Sequence, residues 1–204
     1  MKVMILNGGR KNGNTRFALE TCAAELNRCG VETELADIEP ATSGCRACGA
    51  CEKLGRCVID DGVNAFAEKL LAADGLIVGT PVYYASPNGA VISFLDRLFY
   101  SRQRVFAHKP AAGVAVARRA GTTASLDVIN KYFTIAEMPI VSSTYWNDAF
   151  GLVPGDAAHD AEGAQTMTNL ARNMAWLLRC IELGRENGVP APENDRGVST
   201  NFIR

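Results

Sequence analysis

Short apolar runs alternate with stretches of helical periodicity along most of this 204-residue chain. This alternation is typical of βαβ units, in which parallel strands form a sheet that helices cover on both faces. Continuous apolar runs predict buried strands, whereas the more polar second run predicts an edge strand. We therefore predict a doubly wound α/β fold with three αβα layers. The five predicted strands cover residues 3–6, 31–36, 75–79, 111–117 and 139–143.

Helices are predicted between these strands. The first follows Asn14, a residue suited to cap it, and Gly30 is placed to end it. A longer final helix carries apolar residues at three- and four-residue steps, which predicts a core-facing stripe. The predicted helices cover residues 15–28, 63–73, 89–101, 125–137 and a final segment ending near 186. We expect one domain over residues 1–186, with a cysteine-rich insert at about 39–62 and an extended tail over 187–204.

Composition excludes several classes of partner. The 21 basic and 22 acidic residues leave a net charge of −1, without the positive surplus that drives nucleic-acid binding. The opening apolar run is too short for a signal peptide core, and no stretch predicts a membrane span. Seven cysteines, four of them within thirteen positions, suit a metal or redox site in a reducing compartment. We therefore expect a cytoplasmic protein.

The loop over residues 7–15 is predicted to bind a phosphate. It follows the first strand, contains Gly8, Gly9 and Gly13, and leads into a helix whose N-terminus attracts anions. Asn14 and Thr15 would add side-chain donors, and Arg10 or Lys11 would add charge. The alternative interpretation is a glycine-rich turn that binds nothing.

The spacing of this loop excludes two common nucleotide sites. The three glycines do not form the G-x-G-x-x-G fingerprint of a dinucleotide site. Asn14 stands where a Walker A loop requires lysine, which disfavours ATP and GTP. A terminal monophosphate, which needs only N–H donors, hydroxyls and one cation, remains the predicted ligand.

Two further loops are predicted at the same carboxyl edge of the sheet, where open α/β sheets bind ligands. The loop over residues 80–89 contains Pro81, expected to end the strand, and the adjacent Tyr83 and Tyr84, which offer flat surface to an aromatic ring. The loop over 118–123 could stabilise a reduced flavin through an arginine or a backbone donor. The alternatives are tyrosines that only cover a helix and arginines that are only solvated.

Three segments resemble those of a known family. They are the first strand with the loop 7–15, the Pro81-Val82-Tyr83-Tyr84 loop with the Phe94-Leu95-Asp96-Arg97 helix, and Tyr145-Trp146-Asn147. Together they resemble the NAD(P)H-dependent FMN reductase branch of the flavodoxin-like superfamily, over about residues 1–150. The resemblance implies a five-stranded parallel sheet in the order 2-1-3-4-5, with FMN phosphate on the first loop and the flavin ring against the other two. It also implies homodimers or homotetramers with flavin near the subunit interface.

The first loop departs from the family pattern. Where a Gly-Ser-Pro-Arg beginning is common, this chain has Asn7-Gly8-Gly9-Arg10. One hydroxyl that would bind phosphate is therefore missing. We expect the Gly8 N–H group to contribute to binding in its place.

Four cysteines form the most specific local motif. Cys45, Cys48 and Cys51 are separated by two-residue gaps, and Cys57 follows after five residues. Four thiolates suit an iron-sulfur cluster or zinc, and three cysteines at consecutive two-residue gaps favour [4Fe-4S] over the paired knuckles of structural zinc. The motif also resembles that of iron-sulfur flavoproteins, flavodoxin-like proteins in which a cluster lies beside FMN. Reduced or disulfide-paired thiols remain the alternative.

Three functions follow from these predictions. The first is an FMN-dependent oxidoreductase that passes electrons from NAD(P)H to a quinone, metal or protein acceptor. The second is an iron-sulfur electron carrier supplied by a ferredoxin-type partner, and the third is a non-redox protein with structural zinc. The first requires no catalytic side chain, because the cofactor performs the chemistry. The predicted cofactor-binding residues are Gly8, Arg10, Asn14, Thr15, Pro81, Val82, Tyr83, Tyr84, Ser86, Arg119 and Gly121, and the predicted metal ligands are Cys45, Cys48, Cys51 and Cys57.

Overall fold

The computed structural model describes residues 1–39, 42–200 and 202. Strands and helices alternate along the chain, as the sequence predicts. Short 3-10 helices cover Gln103–Phe106 and Asp156–His159. The strands are β1 Lys2–Asn7, β2 Glu32–Asp37, β3 Gly75–Tyr83, β4 Ser86–Pro87, β5 Ala111–Ala117 and β6 Asp148–Phe150. The helices are α1 Asn14–Arg28, α2 Ala50–Leu54, α3 Gly62–Ala72, α4 Gly89–Arg102, α5 Thr122–Ile135 and α6 Ala161–Glu186.

The main strands form a parallel sheet in the order β2-β1-β3-β5-β6. This is the predicted 2-1-3-4-5 order, with β4 as an additional strand that pairs antiparallel to the end of β3. The more polar β2 lies at the edge, also as predicted. The αβα fold class is therefore confirmed.

Side chains alternate between the two faces of each strand and so build two separate cores. Val3 and Ile5 point toward α1 and α6, where they join a cluster that includes Leu19 and Leu170. Met4 and other residues of the opposite face pack against α3, α4 and α5. The sheet is covered on both faces, which explains the continuous apolar runs in β1, β3 and β5.

The fifth strand differs from the prediction. In the predicted segment 139–143, only Ile140 makes an isolated parallel bridge, to Ala111. Two residues later, the Ser142 carbonyl accepts a hydrogen bond from the Asn173 side-chain amide at 2.8 Å. Pairing with β5 then resumes at Asp148–Phe150. In this interval a side chain of α6, rather than a neighbouring strand, bonds the Ser142 carbonyl.

Two local expectations are also corrected. Pro81 does not end its strand: β3 continues to Tyr83 and then turns tightly into β4. Pro81 still pairs with Val116 in the parallel ladder. The insert is not structureless, because α2 lies between Gly49 and Gly55, both in the left-handed conformation that glycine favours. No helix in the described part of the chain is long and apolar enough to cross a membrane.

Candidate functional site

Loops from four strands surround a cavity of about 300 Å³ at the carboxyl edge of the sheet. Of the predicted cofactor-binding residues, six line this cavity, so the first two predicted loops do meet in space. The third predicted loop, over residues 118–123, lines the cavity with Arg118 rather than with Arg119. The lining residues are Gly9, Arg10, Gly13, Asn14, Thr15, Pro81, Val82, Tyr83, Val116, Ala117, Arg118, Gly151, Leu152 and Pro154.

The N-terminus of α1 forms the polar end of the cavity. Gly13 is the N-cap residue, and among the described residues no side chain caps the helix. The first N–H groups of a helix have no partner within the helix, and its dipole adds positive charge there. Thr15 and the exposed Arg10 border the same end. This end of the cavity suits a phosphate.

Asn14 has a different role from the two predicted for it. It is the first residue of α1 rather than its cap. Its side-chain oxygen accepts from the Gly155 and Ala157 N–H groups at 3.1 and 3.2 Å, and its amide nitrogen donates to the Val153 carbonyl at 2.9 Å. Asn14 therefore holds the loop after β6 against the phosphate-binding end. These bonds engage its side chain, so it is a positioning residue for that loop.

Gly8 lies beneath the cavity and does not line it. Its N–H group donates to the Gly79 carbonyl at 2.8 Å, so the expected contribution of this N–H to phosphate binding is wrong. The Asn88 amide donates to the Gly8 carbonyl at 2.7 Å. A Cβ at position 8 would collide with Val91 and lie 2.8 Å from the Gly79 oxygen. Gly8 is needed because β3 and α4 approach the loop closely.

Four other predicted residues stand outside the cavity. Tyr84 is fully exposed and has a φ of 57° at the tip of the β3–β4 turn. Ser86 and Arg119 are also exposed. Gly121 lies behind the wall, since a Cβ there would come within 2.8 Å of Val82 Cγ1. The tight hairpin directs Tyr83 toward the cavity and Tyr84 away from it.

Sequence reasoning missed the loop after β6. Gly151, Leu152 and Pro154 close one side of the cavity. The fifth strand was predicted too early, so the loop that follows it was not placed at the carboxyl edge. The Gly151-Leu152-Val153-Pro154-Gly155 run is itself a turn signal, and it could have identified this loop.

The four predicted metal ligands, Cys45, Cys48, Cys51 and Cys57, line one second cavity of about 220 Å³. Tight left-handed turns at Ala47, Gly49 and Gly55 fold the insert around it. Within the described ranges, no three His, Cys, Asp or Glu side chains are close enough to share a single metal ion. The cysteines therefore surround a space rather than one point.

Arg97 of α4 forms the wall behind this cavity. Its side chain is 1% exposed and forms a two-pronged ion pair with Asp61, with both N–O distances 2.7 Å. Its Nε donates to Cys57 Sγ at 3.3 Å. The guanidinium lowers the pKa of Asp61 by hydrogen bonding to the charged carboxylate. Asp61 also caps α3 by accepting from the Val63 N–H group.

Helix α4 contacts both the phosphate loop and the cysteine cavity. At its first turns, Val91 contacts the phosphate loop at Gly8. Further along, Arg97 and Tyr100 line the cysteine cavity. The six residues from Val91 to Arg97 correspond to about 9 Å along a helix axis. Helix α4 therefore contacts the phosphate loop near its start and the cysteine cavity further along.

A third cavity, of about 360 Å³, lies where β2 and α3 meet. Three of the four charged residues that line it form ion pairs: Asp37 pairs with Arg16, Asp61 with Arg97, and Lys69 with Glu34. These ion pairs leave the cavity less suited to a charged ligand than the sheet-edge cavity.

Known proteins are similar to this chain in sequence. A family model described as NADPH-dependent FMN reductase matches residues 1–152. An iron-sulfur flavoprotein of Methanocaldococcus jannaschii is 30% identical over 197 residues, which cover 89% of this chain and 100% of the relative. The iron-sulfur flavoprotein of Methanosarcina thermophila is 30% identical over 193 residues, which cover 91% and 100%.

Solved structures support the fold. The structure of RosB with bound 8-demethyl-8-formylriboflavin 5′-phosphate has a TM-score of 0.67 at 18% identity, covering 100% of this chain and 94% of that one. A flavodoxin from the domain Archaea has a TM-score of 0.60 at 14% identity, covering 88% and 99%. The chain thus has a flavodoxin-like fold; it belongs to the NADPH-dependent FMN reductase family and is a relative of the iron-sulfur flavoproteins.

Proposed function

We propose that this protein is an FMN-dependent electron-transfer protein that also holds a [4Fe-4S] cluster on Cys45, Cys48, Cys51 and Cys57. One observation carries the proposal: all four cysteines line a single cavity on α4, the same helix that packs against the phosphate loop. One helix would thus contact the loop beside the flavin and the cavity of the cluster, which favours electron transfer between the two groups. An electron carrier supplied by a redox protein is the function that fits this arrangement best.

The sheet-edge cavity fits FMN by its donors and its shape. The first turn of α1, Thr15 and Arg10 would hold the phosphate. Pro81, Val82 and Tyr83 offer an apolar wall for the ring, and Arg118 adds positive charge at the mouth. When bound, FMN supplies one- and two-electron redox chemistry, while these side chains bind and orient it.

The cysteine cavity fits a cluster better than a zinc ion. Zinc needs its thiolate ligands at about 2.3 Å from one centre, whereas each iron of a [4Fe-4S] cluster takes its own thiolate. The separation of the cysteines around a cavity agrees with the second arrangement. The Ala47 N–H group also donates to Cys45 Sγ at 3.4 Å, a kind of bond that stabilises charged sulfur ligands.

A second function is favoured by the family model, which is described as NADPH-dependent FMN reductase. In this function NAD(P)H reduces the flavin directly, and a quinone, metal or protein receives the electrons. Both functions use the same flavin site. They differ in the immediate electron donor.

The decisive experiment is an absorption spectrum of anaerobically purified protein with iron and acid-labile sulfide analysis. We expect flavin bands together with about four iron and four sulfide per chain, as a [4Fe-4S] cluster requires. Flavin without iron would favour the reductase, and zinc without flavin would contradict both functions. Stopped-flow mixing with excess NADPH then separates the donors, since flavin bleaching within seconds would contradict a carrier that accepts electrons only from a protein.

A further inference from the structure

Arg97 is a buried charge with an unusual set of partners. Its side chain is 1% exposed, and arginine is rarely buried to this degree unless it is paired. The Asp61 carboxylate supplies the opposite charge. The other N–H bonds of the guanidinium go to residues of the cysteine insert, so all of its contacts named here lie within the protein.

These contacts join the two ends of the insert. Arg97 donates to the Ser43 carbonyl at 3.3 Å, before the first cysteine, and to the Ile59 carbonyl at 3.0 Å, after the last. The ion pair with Asp61 fixes the plane of the guanidinium. A planar fork with five donors can make these bonds together, which the single ammonium of a lysine cannot. The guanidinium is therefore held rigidly beside the cavity.

The remaining donor of Arg97 contacts a predicted cluster ligand. Nε donates to Cys57 Sγ at 3.3 Å. Hydrogen bonds to ligand sulfurs and nearby charge are two of the factors that set the potential of an iron-sulfur cluster. A donor and a positive charge both favour the reduced cluster, because it carries one more negative charge. Asp61, as a negative charge on the same guanidinium, acts in the opposite direction.

We propose that Arg97 is a positioning residue that raises the reduction potential of the cluster through Cys57, and that Asp61 limits this effect. The inference rests on the proposed function, because it requires the cluster. It assigns opposite electrostatic effects to the two members of one ion pair. If the ion pair had only a structural role, substitutions of its two members would not shift the cluster potential in opposite directions.

The test compares three variants of the full-length holoprotein by redox titration followed with EPR. Arg97→Gln should shift the midpoint potential of the cluster to a more negative value. Asp61→Asn should shift it to a more positive value, and asparagine can still cap α3. Arg102→Gln is the matched control: Arg102 lies on α4 and pairs with Glu68, and we expect no shift from it.

Iron, sulfide and FMN content and thermal melting are measured for each variant. Opposite shifts for Arg97→Gln and Asp61→Asn support the proposal. Shifts of the same sign, or shifts no larger than that of Arg102→Gln, overturn it. If Arg97→Gln does not fold with a cluster, Asp61→Asn carries the test, and a potential that is not more positive than that of Arg102→Gln overturns the proposal. A wild-type protein without iron and sulfide overturns the proposed cluster itself before any variant is compared.

Discussion

Gly8 is the residue at which the phosphate loop has least room for a side chain. Both neighbours of its missing Cβ, Val91 and the Gly79 carbonyl, belong to elements that cannot move independently of the sheet. We predict that Gly8→Ala weakens FMN binding by about 5- to 150-fold, because overpacking of this kind costs about 1–3 kcal/mol. Titration of the apoprotein by quenching of flavin fluorescence measures the effect.

Gly62→Ala is the matched control for this substitution. Gly62 begins α3, and nothing lies within 4 Å of a Cβ placed there. We expect its FMN affinity to equal that of the wild type. Equal affinities for the Gly8 and Gly62 variants would contradict the packing argument.

Asn14 forms hydrogen bonds with the loop after β6, which is distant from it in sequence. We predict that Asn14→Ala increases amide hydrogen exchange over residues 151–158 about tenfold or more, since Gly155 and Ala157 lose their acceptor and each hydrogen bond contributes about 1 kcal/mol. Hydrogen-exchange mass spectrometry measures this. Asn12→Ala, at an exposed position in the same loop, is the control, and unchanged exchange in the Asn14 variant would show that the loop is held by other contacts.

At the scale of elements, α6 covers one sheet face together with α1. Its inward side includes Met167, Leu170 and Met174, all 0% exposed, as the three- and four-residue spacing predicts. We predict that Leu170→Ala lowers the free energy of unfolding by about 2–5 kcal/mol, because it leaves a cavity beneath the helix. Urea denaturation followed by circular dichroism measures the change.

The same substitution on the outer face of α6 provides the comparison. Leu183 is 57% exposed, and we expect Leu183→Ala to change the free energy of unfolding by about 0.5 kcal/mol or less. Similar losses for the two variants would mean that α6 does not cover the core along its Leu170 face.

At the scale of the whole molecule, ion pairs make the free energy of unfolding depend on pH in the acid range. Hydrogen bonds from cationic side chains lower the pKa of Glu34, Glu25 and Asp61 below their ordinary values of 4.5, 4.5 and 3.8. The unfolded chain then binds more protons as pH falls through these values, so the free energy of unfolding decreases. Burial raises the pKa of Asp148 and partly opposes this decrease.

We predict a falling urea midpoint between about pH 5 and pH 3 and a shallower fall for Glu34→Gln. Glu34 accepts bonds from Lys2 and Lys69, each at 2.7 Å, and glutamine takes up no proton on unfolding. Urea midpoints at a series of pH values measure both slopes. Glu186→Gln, at the exposed end of α6, is the control, and parallel profiles for all three proteins would contradict the prediction.

Several features could be predicted from the sequence because they depend on neighbouring residues. Strand and helix alternation, the glycine-rich turn before α1 and the cysteine spacing are local patterns, and the structure contains all of them. The inner face of α6 follows from helical periodicity in the same way. By itself, the sequence determined the fold class, the glycine-rich loop before α1 as a candidate phosphate site, and the set of four cysteines.

Tertiary structure decided the features that join distant residues. Asn14 and Val153 are 139 positions apart, and Arg97 and Cys57 are 40 apart, so no local pattern contains either pair. The interruption of the predicted fifth strand is of the same kind, since the Ser142 carbonyl is bonded by Asn173, 31 positions away. Backbone groups and buried charges bind whichever partners the packed chain brings near them. Only the folded chain therefore shows that the Gly8 N–H group donates to the Gly79 carbonyl and that Arg97 donates to Cys57.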